Sequence, residues 1–168
     1  MACFIPAKAV RMAWRDVPTM VHGYVVEPLR LVDIPALARI EREVFPEPLS
    51  WGDVVRKYWA GRVTYLAVRD HSHLAAYFGF EVFQTIAHVM ANATAPEYRR
   101  QGLARFVLTA AEPLALAHGA RCFLGEVRRS NVAQQEVLAG IGWRPVAVVP
   151  HYFGNGEDAI MVWKTLGE

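Results

Sequence analysis

From Tyr24 onward, apolar and polar positions follow two alternating periods. Ile34, Leu37, Ile40 and Val44 recur at three and four residues, which predicts a helix with one buried face. Asp33 stands where an N-cap is expected, two residues before Pro35. The run Phe45-Pro46-Glu47-Pro48 must end that helix, because proline cannot continue the hydrogen-bond ladder and biases its predecessor away from helix. Ser50 then caps a second helix, Trp51 to Ala60, closed by Gly61. Tyr24 to Leu31 reads as extended. Three strands follow as an antiparallel meander: Val63 to Arg69, Leu74 to Phe83 after a turn at Asp70-His71-Ser72, and Ile86 to Thr94. Beyond Pro96 the helical period returns, with Leu103, Phe106, Val107, Ala110, Leu114 and Ala117 on one stripe and Gly119 as the stop. Pro113 interrupts this stripe and predicts a kink, since it removes the bond to the Thr109 carbonyl. A strand from Ala120 to Val127, a helix capped by Asn131 and running to Ala139, and strands Trp143 to Val149 and Glu157 to Lys164 complete the chain.

A strand, a long helix and another strand around Gly102 imply a right-handed parallel crossover, so the expected class is α/β with a mixed sheet. Residues 24–168 are expected to form one domain. Residues 1–23 have weak periodicity and contain Met12 and Met20, either of which could be the start, and this N-terminal extension is read as equally well outside the fold as within it. Composition narrows the class. With 54% hydrophobic and 20% charged residues the chain is not disordered, and charge or proline breaks its apolar runs short of a bilayer span, so no membrane association is expected. A net charge of +2 is too small for a dedicated nucleic-acid binder. Two cysteines, Cys3 and Cys122, provide neither a disulfide framework nor a paired metal motif, which fits a reducing cytoplasm. No signal peptide is read at the start.

The run Arg99-Arg100-Gln101-Gly102-Leu103-Ala104 lies between a predicted strand and an amphipathic helix, where an anion site is physically expected. Free amides at a helix N-terminus point outward and the helix dipole adds positive potential. Gly102 and Ala104 allow close approach to the backbone, while Arg99, Arg100 and Arg105 add charge at the rim. Such spacing arises by chance in roughly one chain in six, so an ordinary loop-to-helix junction with a solvated basic patch stays open at this point. His71 and His73, in a predicted turn, lack a third ligand nearby, and no metal is expected.

Longer motifs carry more. Pro96-Glu97-Tyr98-Arg99-Arg100-Gln101-Gly102-Leu103-Ala104-Arg105-Phe106-Val107-Leu108 resembles the acetyl-CoA-binding motif of the GNAT N-acetyltransferases. Glu126-Val127-Arg128-Arg129-Ser130-Asn131 resembles the Leu-Glu-Val-Arg-x-Ser-Asn signature of that family's RimI group, and Phe45-Pro46-Glu47-Pro48-Leu49-Ser50 resembles its Phe-Pro-x-Pro-Trp-Ser loop. Tyr152 and Gly156-Glu157-Asp158-Ala159-Ile160-Met161 are similar to its C-terminal segment, so the likeness spans about Val26 to Leu166.

The resemblance implies a GNAT fold: a mostly antiparallel central sheet, a parallel crossover around the CoA-binding helix, and helices on both faces. It implies acetyl transfer from acetyl-CoA to the N-terminal α-amine of a protein, a small-subunit ribosomal protein in the RimI group. Arg99, Arg100, Gln101, Gly102, Leu103, Ala104, Arg105 and Asn131 would hold the cofactor, and the main chain of Asn92, Ala93 and Thr94 would pair with pantetheine. Glu126 would accept the amine's proton. Its local alternative is a strand-end carboxylate paired with Arg128 or Arg129. Trp51 and Tyr152 would contact the acceptor peptide. One position departs: Leu138 stands where the group carries a tyrosine that protonates the leaving thiolate. An acyl-CoA-binding domain with little catalysis, and acetylation of a small amine or a lysine side chain, are the alternatives. Cys122 lies mid-strand with no adjacent histidine, which favours direct attack over a covalent route.

Overall fold

A computed structural model of the protein describes residues 20, 21 and 23–167. Eight strands form one sheet: β1 (Met20–Val21), β2 (Tyr24–Pro28), β3 (Val63–Asp70), β4 (His73–Phe83), β5 (Ile86–Thr94), β6 (Cys122–Arg128), β7 (Arg144–Val149) and β8 (Ala159–Thr165). Their spatial order is β1-β2-β3-β4-β5-β6-β8-β7. Every neighbouring pair is antiparallel except β5 and β6. The helices are α1 (Ile34–Val44), α2 (Trp51–Trp59), α3 (Leu103–Ala110), α4 (Glu112–Ala117) and α5 (Val132–Ala139), with short 3-10 turns at Leu31–Asp33 and Pro96–Tyr98. Most of the expected extension lies outside the described residues; β1, near its end, pairs Met20 with Val25 and Val21 with Tyr24.

Alternation along the strands sorts side chains into two cores. Leu66, Val68, Phe78, Phe80 and Phe123 pack against Leu103, Val107 and Leu114 on one face. On the other, Tyr65, Ala67 and Tyr77 meet the α1 stripe of Ile34, Leu37 and Ile40 together with Val54 of α2. Helices therefore cover both faces, and the three-and-four spacing in α1 is the side that is buried.

Two local features shape the centre of the sheet. The parallel pairing of β5 with β6 covers only Ile86 to His88 against Cys122 to Leu124. Immediately beyond, the β4–β5 register slips: Gly79 faces Ala91 and Phe80 faces Val89, leaving Met90 as an extra residue in β5. Such a bulge bends its strand and increases the local twist. From there β5 keeps β4 as its neighbour while Gly125 to Arg128 of β6 pair with β8, so the two central strands part.

Several cap signals are realised. Ser50 Oγ accepts the Asp53 amide at 3.1 Å and Asn131 Oδ1 accepts the Gln134 amide at 3.1 Å. Pro113 divides the long helix at Ala111, where α3 ends and α4 begins. Asp33 does otherwise. It sits in helical conformation and makes no side-chain cap to α1. Its buried carboxylate takes both ends of the Arg69 guanidinium and the Arg30 amide. Buried Arg69 needs a carboxylate partner more than the solvated first turn of α1 needs a cap.

Candidate active site

The divergence of β5 and β6 leads to the N-terminus of α3. Arg100 and Gly102 both adopt positive φ, +63° and +78°, and Gly102 is the helix N-cap. Apart from its own chain neighbours, nothing lies within 4 Å of the place a Cβ would take on Gly102. The first helical bond runs from Phe106 N–H to the Gly102 carbonyl at 3.0 Å, so the amides of Leu103, Ala104 and Arg105 have no acceptor within the helix. Asn92, Ala93 and Thr94 face Phe78, Tyr77 and Ala76 of β4 on one side, and β6 has already turned away on the other. Open strand edge and free helix amides together suit an extended amide chain ending in a pyrophosphate, which is the shape of coenzyme A.

The side chains in this region are less uniform than the motif. Arg99 and Arg100 are exposed at the rim. Gln101 accepts a hydrogen bond from the Tyr24 hydroxyl. Arg105 reaches across to the end of α5 and donates to the Gly140 carbonyl at 3.2 Å. Asn131 uses its oxygen as the α5 cap, leaving the amide group to donate.

Glu126 lies at the C-terminal half of β6, past the point of divergence. Its Oε1 is 2.7 Å from His88 Nε2, and the Glu126 side chain is 14% exposed against 41% for His88. Hydrogen bonding to Glu126 raises the His88 pKa, half-burial opposes this, and the charges of Glu126 and Glu81 raise it further, with Lys57 acting against them. The fold is therefore stabilised by this pair below the ordinary histidine value of 6.5, and that contribution is lost as pH rises through the higher folded value. Tyr152 is half exposed; partial burial and then the Glu126 carboxylate hold its hydroxyl pKa above the ordinary value.

His88 is the residue that sequence reasoning missed. The available signal was a lone imidazole in the apolar first half of β5, but only the parallel register of β5 and β6 reveals its partner. Arg128 and Arg129 prove to be engaged elsewhere: Arg128 with Glu47 and Glu157, Arg129 with Asp158. Leu138 is buried in the core beside Trp143 and Phe123, so α5 presents no hydroxyl from that position. Trp51 begins α2, and its side chain lies outside the described part of the structure. His71 pairs with Asp70 at 2.8 Å, and among the described residues no group of three His, Cys, Asp or Glu is placed to hold a metal ion.

A model of the acetyltransferase (GNAT) family matches residues 34–143. A Bacillus subtilis (strain 168) protein provisionally named a ribosomal protein bS18-alanine N-acetyltransferase is 31% identical over 148 residues, covering 85% of this chain and 96% of that one. The crystal structure of the ribosomal-protein-S18-alanine N-acetyltransferase of Escherichia coli superposes with a TM-score of 0.74 at 25% identity, covering 86% of this chain and 95% of the other. Arabidopsis thaliana NAA60, solved in complex with acetyl-CoA, superposes with a TM-score of 0.79 at 13% identity over 84% of this chain and 98% of its own.

Proposed function

The chain belongs to the acetyltransferase (GNAT) family and is an N-acetyltransferase that uses acetyl-CoA, and on that basis we propose that its acceptor is the N-terminal α-amine of a protein. The likeness to a protein named a ribosomal protein-alanine N-acetyltransferase supports the acceptor class, and the Glu126–His88 pair, set where the sheet opens beside the free amides of α3, supports deprotonation of an amine there.

Acetyl-CoA supplies an activated acetyl thioester. The amides of Leu103, Ala104 and Arg105 bind its pyrophosphate, with Arg99 and Arg100 at the rim, and the open edge of β5 from Asn92 to Thr94 aligns the pantetheine arm. The Asn131 amide group, left free by the cap, would donate to the same arm. Glu126 takes the proton that the acceptor ammonium must lose before its nitrogen can attack, and His88, more exposed, passes it to solvent. Tyr152 and Trp51 contact the acceptor peptide. Leu138 donates no proton to the departing sulfur, and none is obligatory because a thiol's ordinary pKa is about 8.5.

Within this reading the acceptor is a small-subunit ribosomal protein, supported by the names of two relatives. A cytoplasmic setting without direct nucleic-acid binding agrees with the cysteine usage and the small net charge. Among the described residues no helix is long and apolar enough to cross a membrane. Mass spectrometry of acetyl transfer to a peptide with the bS18 N-terminus tests the assignment, with the same peptide blocked at its N-terminus but carrying lysine, and a polyamine, as competitors. Acetylation of the blocked peptide or the polyamine at the same rate would overturn it.

A further inference from the structure

The carboxylate of Glu47 and the guanidinium of Arg128 meet across 81 residues of sequence. Glu47 belongs to the proline-bounded loop between α1 and α2. Arg128 ends β6, two residues past Glu126 and on the same face of the strand. Its Nη2 reaches Glu47 Oε2 at 3.3 Å, while Nη1 donates to Glu157 Oε2 and to Asn155 Oδ1, each at 3.1 Å. The same guanidinium lies 4.0 Å from the centroid of the Phe153 ring. Phe153 in turn packs edge-on against Tyr152 at 5.1 Å. A second tie runs beside the first, because Gly154 N–H donates to Glu47 Oε2 at 3.3 Å. A Cβ on Gly154 would stand 2.8 Å from Glu47 Oε1, so the β7–β8 loop runs close against the Glu47 carboxylate.

We infer that Arg128 is a positioning residue that fixes the width of the acceptor groove by joining its two flanking loops, the one at 45–50 and the one at 150–158, to the strand that carries Glu126. This rests on the reading of Glu126 as proton acceptor and of those loops as the walls of the peptide site. Arg128 suits the task chemically. Its side chain is 14% exposed, and a planar fork can serve two carboxylates from its two ends while presenting a face to an aromatic ring. Lysine, a point charge, can do only part of this. Glu157 anchors the far end: its second oxygen accepts the Ser130 amide at 2.9 Å, and hydrogen bonding from the Ser130 side chain first, then from that amide, then from Arg128, holds its pKa down at about 2. Glu47 is the half-exposed partner, so it is where the clamp can be released without disturbing the sheet.

The test combines kinetics with hydrogen exchange on the whole protein. Glu47→Ala and Arg128→Lys should each raise KM for the acceptor peptide by about tenfold, the scale of one lost charge-assisted hydrogen bond. KM for acetyl-CoA should stay where it is, and kcat at saturating peptide should change much less than KM. The double variant should fall well short of the product of the two single effects, because both changes break the shared Arg128–Glu47 contact. In the absence of any substrate, hydrogen exchange should quicken together in segments 45–50 and 150–158 of each variant. An unchanged peptide KM in Glu47→Ala, a parallel rise in both KM values, or faster exchange confined to one loop would overturn the inference. Failure of the wild-type protein to acetylate any peptide would instead count against the acceptor assignment, since the exchange measurement reads the clamp without a substrate. Glu47→Ala lies on an exposed loop and keeps the test decisive should Arg128→Lys fold poorly.

Discussion

On one side of Glu126 the binding surface is made of main chain, and on the other it is made of side chains. The proposed cofactor side consists of an open strand edge, three free amides and a glycine at positive φ. The proposed acceptor side consists of His88, Tyr152 and the Glu47–Arg128–Glu157 network. A main-chain surface tolerates variation in the residues that supply it but depends on conformation. A side-chain surface depends on identity at positions far apart in sequence. The two sides should therefore fail in different ways when single residues are changed.

The largest effect is expected at the proton acceptor. Glu126→Gln should lower kcat by about 10²- to 10⁴-fold, the range attributed to a positioned general base, and calorimetry should find acetyl-CoA affinity essentially unaltered. Loss of affinity together with kcat would mean that the two sides are not separable. The complementary change is Gly102→Val. A β-branched residue is strained at φ +78°, and the cost of about 1–2 kcal/mol predicts acetyl-CoA binding weakened by about tenfold or more. Peptide KM should be spared, and a valine that leaves cofactor affinity intact would sink the main-chain account. The smallest effect concerns pH. Because His88 titrates above its ordinary value, kcat should fall on acidification through that raised value as the Glu126–His88 pair gains a proton. In His88→Gln the acidic limb should move to lower pH, with kcat near its plateau reduced modestly. A limb that stays in place would show that His88 does not titrate with the base.

The same division explains what the sequence made readable. Gly102, Pro113, Ser50 and Asn131 announce local conformation through residue type, and each does in the structure what its type predicts. The strand-helix-strand order was enough to expect a mixed sheet. Asp33 failed as a local prediction because its partner, Arg69, is 36 residues away and buried. His88 was invisible for a similar reason: nothing in Ile86-Ala87-His88-Val89 indicates that Glu126 will stand beside it until the short parallel register is known. Glu47 was part of a recognisable loop motif yet gained a role only when Arg128 was seen to reach it. Local signals fix elements and caps, whereas the acceptor site is assembled from contacts that no window of sequence contains.

Met90 gives this architecture an evolutionary measure. The proposed cofactor slot lies beside the place where β5 carries a single residue more than β4 requires. A one-codon deletion at that point would restore an even register and remove the bend that turns β5 away from β6, leaving every arginine and glycine of the phosphate loop in place. Substitution can retune the slot; an in-frame deletion of one codon is the smallest genetic event that could close it.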